Sequence, residues 1–182
     1  MKKIAILTLA MVLSYGAHAG IYFGIGYGTG NYGLKTGGVK DNPNKEDNPF
    51  NILLGYSLDL MVIPAVKIEF EYINAAFEKT GVGAYDAKAD TFMLNAYLHI
   101  PQPIPFISPY ISGGFGTTTL DLGSSKSSRA IGGAFGIEGK IPMVPVRPAV
   151  EIKYIKADDF DFGTGKTEYT NTMIYGKLSF YF

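Results

Sequence analysis

The chain of 182 residues has no cysteine, no tryptophan, no excess of either charge and only two histidines, His18 and His99. Without cysteine, disulfide staples, thiolate catalysis, zinc–thiolate sites and lipoprotein acylation are excluded. Sixteen basic side chains face sixteen acidic ones, so the cationic footprint that neutralises phosphates is missing and no nucleic-acid partner is expected. Long apolar runs are also scarce. The one at the N-terminus, from Ile4 to Tyr15, is shorter than the ~20 residues a spanning helix needs. No later segment keeps a helical apolar period beyond a turn or two, which argues against a helical fold.

What is present begins with a leader. Lys2 and Lys3 precede the apolar run, and Ala17-His18-Ala19 offers a small-x-small site before Gly20. Residues 1–19 are expected to be a cleaved secretory signal peptide, leaving residues 20–182 as a single domain with a formal charge of −2. An exported chain without cysteine fits a bacterial envelope protein that needs no oxidative staple.

The mature part alternates with period two. Ile21, Phe23, Ile25 and Tyr27 are interleaved with Tyr22, Gly24, Gly26 and Gly28; Val66, Ile68, Phe70 and Tyr72 are interleaved with Lys67, Glu69 and Glu71. Successive side chains of a strand point to opposite faces. Eight such amphipathic strands are predicted, at about 20–29, 50–59, 66–72, 90–100, 108–119, 129–141, 147–157 and 170–182. Their connections differ in kind. Those after the even strands are apolar and proline-rich, such as Ile100-Pro101-Gln102-Pro103-Ile104-Pro105. Those after the odd strands, 30–49, 77–89, 120–128 and 157–169, are polar and longer. Short turns at one rim and long loops at the other describe an up-and-down hairpin array whose ends face different compartments.

The less apolar faces gather five acids (Asp59, Glu69, Glu71, Glu138, Glu151) and five bases (Lys67, Lys140, Arg147, Lys153, Lys177), with glycine and alanine between them. An eight-stranded barrel is only just wide enough for side chains to fill, so small residues leave room for a paired lumen network. The apolar faces then meet lipid, where the sheet must close because an open edge would leave backbone groups unsatisfied. The expected fold is all-β, an eight-stranded antiparallel transmembrane β-barrel.

These residues resemble the eight-stranded outer-membrane barrels of the OmpA/OmpX type. The resemblance rests on three stretches: the terminal Ile174-x-Gly176-x-Leu178-x-Phe180-x-Phe182, Pro109 to Gly116, and Ala149 to Tyr154. It implies a bacterial outer-membrane location, contact with outer-membrane lipid, and a C-terminal signal (Ile174, Gly176, Leu178, Phe180, Phe182) read by the barrel assembly machinery. The chain stops at Phe182, so the peptidoglycan-binding domain of longer OmpA-type proteins is not expected.

Chemistry-bearing constellations are few. His99 could act as the base of a lipid-modifying enzyme, but a rim histidine bonded to turn backbone is the favoured reading. Asp158, Asp159 and Asp161 could hold calcium, yet they lack EF-hand spacing and read as a solvated loop. The glycines at 24, 26, 28 and 30 are followed by a polar loop rather than the helix a nucleotide site needs. No catalytic residue, cofactor or metal site is therefore expected. The expected function is a structural or interaction surface carried on four long extracellular loops above a plugged lumen, with a host or other extracellular ligand as partner. A low-conductance channel for ions or small solutes is the alternative, and a lipid-modifying enzyme the second.

Overall fold

The computed structural model describes residues 17–41, 45–46, 48–60, 65–79, 85–100, 106–141, 144–162 and 166–182. Most of the predicted leader and the proline-rich turns at 61–64, 101–105 and 142–143 lie outside these residues. Eight strands form the wall: β1 (Ala17–Thr36), β2 (Phe50–Leu60), β3 (Val66–Lys79), β4 (Tyr85–His99), β5 (Ile107–Asp121), β6 (Ser125–Gly139), β7 (Val146–Asp161) and β8 (Lys166–Tyr181). Each pairs antiparallel with its sequence neighbour, and β1 pairs with β8 from Tyr22↔Tyr181 to Thr36↔Thr167. That last ladder closes the sheet, so no strand edge is left facing hydrocarbon. Two short strands, Val39–Asp41 and Lys45–Glu46, pair with β1 and β3 in the first long connection.

Alternation fixes the faces as expected. Ile21, Phe23, Ile25 and Tyr27 are exposed on the outside, while Tyr22 is buried inside with Gly24 and Gly26. The inward glycines are required by close approach: a Cβ at Gly55 would sit 2.2 Å from the Tyr22 ring, and one at Gly26 would sit 2.1 Å from Asn51 Oδ1. On β8 the outer apolar band runs from Ile174 to Phe182, about 26 Å along the strand at roughly 3.3 Å per residue. Aromatic rings border it. Tyr27, Phe50, Tyr72, Phe92, Phe115 and Tyr154 lie at one edge. At the other, Phe23 stacks on Phe180 and Phe182 with centroids 5.1 and 6.3 Å apart.

One expectation changes. The strands run well past their predicted ends, so three of the four polar connections are short: β3 ends at Lys79 and β4 begins at Tyr85, β5 ends at Asp121 and β6 begins at Ser125, and β7 ends at Asp161 and β8 begins at Lys166. Only the connection after β1 remains long. The polar segments read as loops are hairpin ends standing above the apolar band. Ala17–Ala19 pair with Leu58–Leu60, so the predicted processing site falls within β1, and a chain cut there would begin this strand at Gly20.

Candidate functional site in the barrel interior

The inward positions carry two layers of different chemistry. On the proline-rich side the lumen is filled by charge. Glu71 on β3 accepts hydrogen bonds from Asn51 Nδ2 at 2.5 Å and Asn95 Nδ2 at 2.8 Å, and is ion-paired with Lys153. Glu69 accepts from the Tyr22 hydroxyl at 3.1 Å and the Tyr97 hydroxyl at 2.7 Å, and Lys177 Nζ lies 3.2 Å away. Glu151 accepts from the Tyr110 hydroxyl at 3.0 Å and faces Lys153 at 3.2 Å and Lys177 at 3.4 Å. Toward the turn rim, Glu138 pairs with Lys67 and with Arg147 at 3.3 Å, and the Arg147 guanidinium lies over the Tyr181 ring. All four carboxylates and three of the four cations are buried, Arg147 being half-buried.

Four acids and four bases meet in this layer, so it is neutral as a set. A buried charge costs several kcal/mol unless paired, and pairing here is reinforced by neutral donors. Of the ten residues singled out from sequence, eight are brought together. Lys140 follows the end of β6 at Gly139 and sits half-buried at the rim, apart from the layer; it falls where the strand has already stopped alternating. The side chain of Asp59 lies outside the described residues. Tyr22, Asn51, Asn95, Tyr97 and Tyr110 complete the layer from β1, β2, β4 and β5, which supply none of its charges; only their inward parity marks them in the sequence.

On the other side of the lumen the filling is mainly apolar, with Thr91, Thr118, Thr167 and Asn171 among it. Tyr32, Phe77 and Tyr169 stack with centroids 5.0 to 6.5 Å apart. Ile73, Leu120, Ile155, Phe160 and Met173 are buried with them. The expected charge network is thus accompanied by an apolar layer that the sequence reading did not include. Above the aromatic border the parity continues unbroken while the polarity of the two faces reverses: Asn74 and Glu78 face outward, and Ile73, Ala75 and Phe77 face inward.

His99, the last residue of β4, is buried, and its Nδ1 lies 3.0 Å from Ser108 Oγ on the neighbouring strand. Glu138 is the ladder partner of Ser108, so a serine, a histidine and a carboxylate are neighbours here. Ser108 is 1% exposed, and the cavity that His99 lines holds 10 Å³. That is room for about one water and not for an acyl substrate. Asp158 is ion-paired with Lys156 at 3.2 Å, and the Asp159 side chain lies outside the described residues. Among the described residues no three acidic or histidine side chains converge as a metal site would need.

Solved structures share this architecture. Neisserial surface protein A is 11% identical over 89% of this chain and 97% of its own, with a TM-score of 0.63. The outer membrane protein OprG from Pseudomonas aeruginosa is 17% identical over 92% of this chain and 97% of its own, with a TM-score of 0.53. The outer membrane protein AlkL is 14% identical over 90% of each chain, with a TM-score of 0.57. Among functionally curated proteins none matches at a significant level. Residues 5–182 match the family model for the outer membrane protein beta-barrel domain. With a closed eight-stranded wall, an apolar belt and an internal charge layer, the chain belongs to this family and is a bacterial outer-membrane protein.

Proposed function

We propose that the barrel is a sealed membrane mount and that its protruding hairpin ends form an interaction surface outside the cell. The observation that carries this reading is the double filling of the lumen. The charge layer around Glu71 and Lys153 and the apolar layer around Phe77 and Tyr169 lie one above the other. An ion passing through would have to part desolvated ion pairs and then cross packed aromatic rings. Eight strands enclose no spare width for a path around them.

The surface follows from the reversed polarity of the two faces. Above the aromatic border the outward positions are polar, including Lys88, Asp90, Thr119 and Asp121. The sheet itself continues to the hairpin ends, so these side chains stand on a hydrogen-bonded wall rather than on mobile loops. A pre-ordered surface loses little entropy when a partner docks. The one long connection, after β1, lies at the taller rim, and the longer connections are extracellular in barrels of this kind, which supports the assignment of this surface to the cell exterior.

Recording from the protein in planar bilayers tests the seal: no stable unitary conductance is expected, and a reproducible step would overturn it in favour of the channel reading. Adhesion of cells to matrix or serum proteins tests the surface. Replacing Lys88, Asp90 and Asp121 with serine should reduce adhesion at unchanged surface levels, and equal adhesion would remove this role. The enzymatic reading keeps only the buried His99–Ser108 pair, which lacks space for a substrate.

A further inference from the structure

The outward position just above the apolar band is uncharged or acidic on β1, β3, β4 and β8, with Thr29, Asn74, Asp90 and Thr172. On β6 and β7 it is Arg129 and Lys156. The two cations are neighbours, because Lys156 is the ladder partner of Ile131, two residues from Arg129. Together with Thr117, Ser127 and Ser128 they line an open cleft of about 670 Å³. Asp158 offsets one charge by pairing with Lys156 at 3.2 Å. Among the described residues no carboxylate engages the Arg129 guanidinium. The cleft therefore carries a net positive charge at the height where the apolar wall gives way to water.

A second feature lies directly beneath it. Gly133 follows Ile131 by two residues, faces outward and pairs with Gly113, whose other ladder partner is Ala96. A Cβ added at Gly113 would meet nothing within 4 Å, and one at Gly133 only the Ser112 carbonyl oxygen at 3.3 Å. Phe115 and Ile131, 65% and 63% exposed, stand above this gap. Ala96, Gly113 and Gly133, small residues in a row across three adjacent strands, make a trough in the lipid-facing wall.

We propose that Arg129 and Lys156 clasp a phosphate of an outer-leaflet phosphoglycolipid, with one of its acyl chains lying in the trough over Gly113 and Gly133. A guanidinium offers two parallel donors to phosphate oxygens, and the Thr117 and Ser127 hydroxyls are within the same cleft. The Lys156 stem runs along the upper edge of the apolar band while its ammonium reaches the headgroup layer. Charge alone would suit any anion; the trough beneath the charge selects one with a chain attached. The proposal rests on the taller rim facing outward and is independent of whether the lumen is sealed.

Native mass spectrometry of protein released from nanodiscs tests it, comparing bisphosphorylated lipid A with its fully dephosphorylated form bearing the same chains. Retention of the phosphorylated lipid should fall about tenfold in the Arg129→Ala, Lys156→Ala double variant, from loss of charge-assisted hydrogen bonds. The dephosphorylated lipid should be retained equally poorly by both proteins. Gly133→Leu, which fills the trough without touching the cations, should weaken retention of the phosphorylated lipid. Heat-dependent gel migration checks that each variant is a closed barrel. Unchanged retention in the double variant, or equal retention of the two lipids by the wild type, would overturn the proposal. Inorganic phosphate binding as tightly as the lipid would also overturn it, since the site would then take a free anion. Orientation is read separately: the chain has no cysteine, so Lys126→Cys supplies a single label that impermeant maleimide should reach on whole cells.

Discussion

Lys177 reaches Glu151 on the diagonal: Nζ and Oε2 lie 3.4 Å apart, although the ladder places Glu151 opposite Tyr175 and Lys177 opposite Ala149. The two strands are neighbours with alternate residues facing inward, so residues two apart in register remain within reach of a long side chain. Sequence spacing alone had set the pair at a common depth. The offset lets Lys177 also approach Glu69 at 3.2 Å, which makes it a bridge between two carboxylates.

That geometry predicts coupling. In a double-mutant cycle on refolded protein, Glu151→Gln and Lys177→Met should be non-additive by more than about 0.5 kcal/mol, the scatter for independent sites. Each single change leaves a buried partner short of an opposite charge, and full loss of a partner costs about 3–5 kcal/mol. Lys153 and Glu69 remain beside the vacated positions, so each single cost should fall toward the lower end. Additive effects in urea titrations would show that the two charges act independently.

The apolar layer should matter as much as the charged one. Phe77 is 1% exposed and stacks against Tyr32 and Tyr169, so Phe77→Ala should destabilise the barrel by about 3–5 kcal/mol. A mobile loop residue at the same place would cost almost nothing. Urea unfolding followed by loss of the heat-dependent gel shift reads the difference, and a change below about 1 kcal/mol would reject a packed core in the protruding half.

Position 77 also shows what could and could not be read from the sequence. Below the aromatic border, strands such as β3 follow the expected pattern, with Ile68 and Phe70 outward and Glu69 and Glu71 inward. Beyond Tyr72 the alternation continues with its sense reversed, because the outside is then water and the inside a dry core. Asn74, Glu78, Asp86 and Lys88 consequently look like loop residues, although Ile73, Ala75, Phe77, Ala87 and Ala89 hold the opposite parity without a break. Searching for a phase inversion rather than an end to alternation would have found the protruding strands. Membership of the charge layer was legible from parity for all eight of its ionised groups. The tyrosine and asparagine donors were not singled out, since an inward tyrosine can equally belong to either layer.

The border itself can be mapped by substitution. Ile68 lies mid-band on β3, 52% exposed to the outside, and Ile68→Arg should cost about 2–4 kcal/mol in lipid. Asn74→Arg, on the same strand and face but above the border, should cost about 0–1 kcal/mol. Equal costs in refolding titrations into vesicles would mean that the aromatic ring of Tyr72 does not mark the lipid boundary.

Phe182 makes the sharpest separation between folding and delivery. Its ring is 84% exposed, its stacking partner Phe23 already packs closer to Phe180, and its main tie to the wall is a backbone N–H donated to Ile21 O at 3.0 Å. Alanine keeps that backbone bond. Phe182→Ala should therefore refold into vesicles with nearly the yield of the wild type. If the terminal aromatic is read by the assembly machinery, as we propose, the same variant should accumulate poorly in the outer membrane of cells. Quantifying the heat-shifted form in purified outer membranes, with refolding yield measured in parallel, distinguishes the two. Normal outer-membrane levels would reject the signal role, and a matching loss of refolding would assign the effect to the barrel itself.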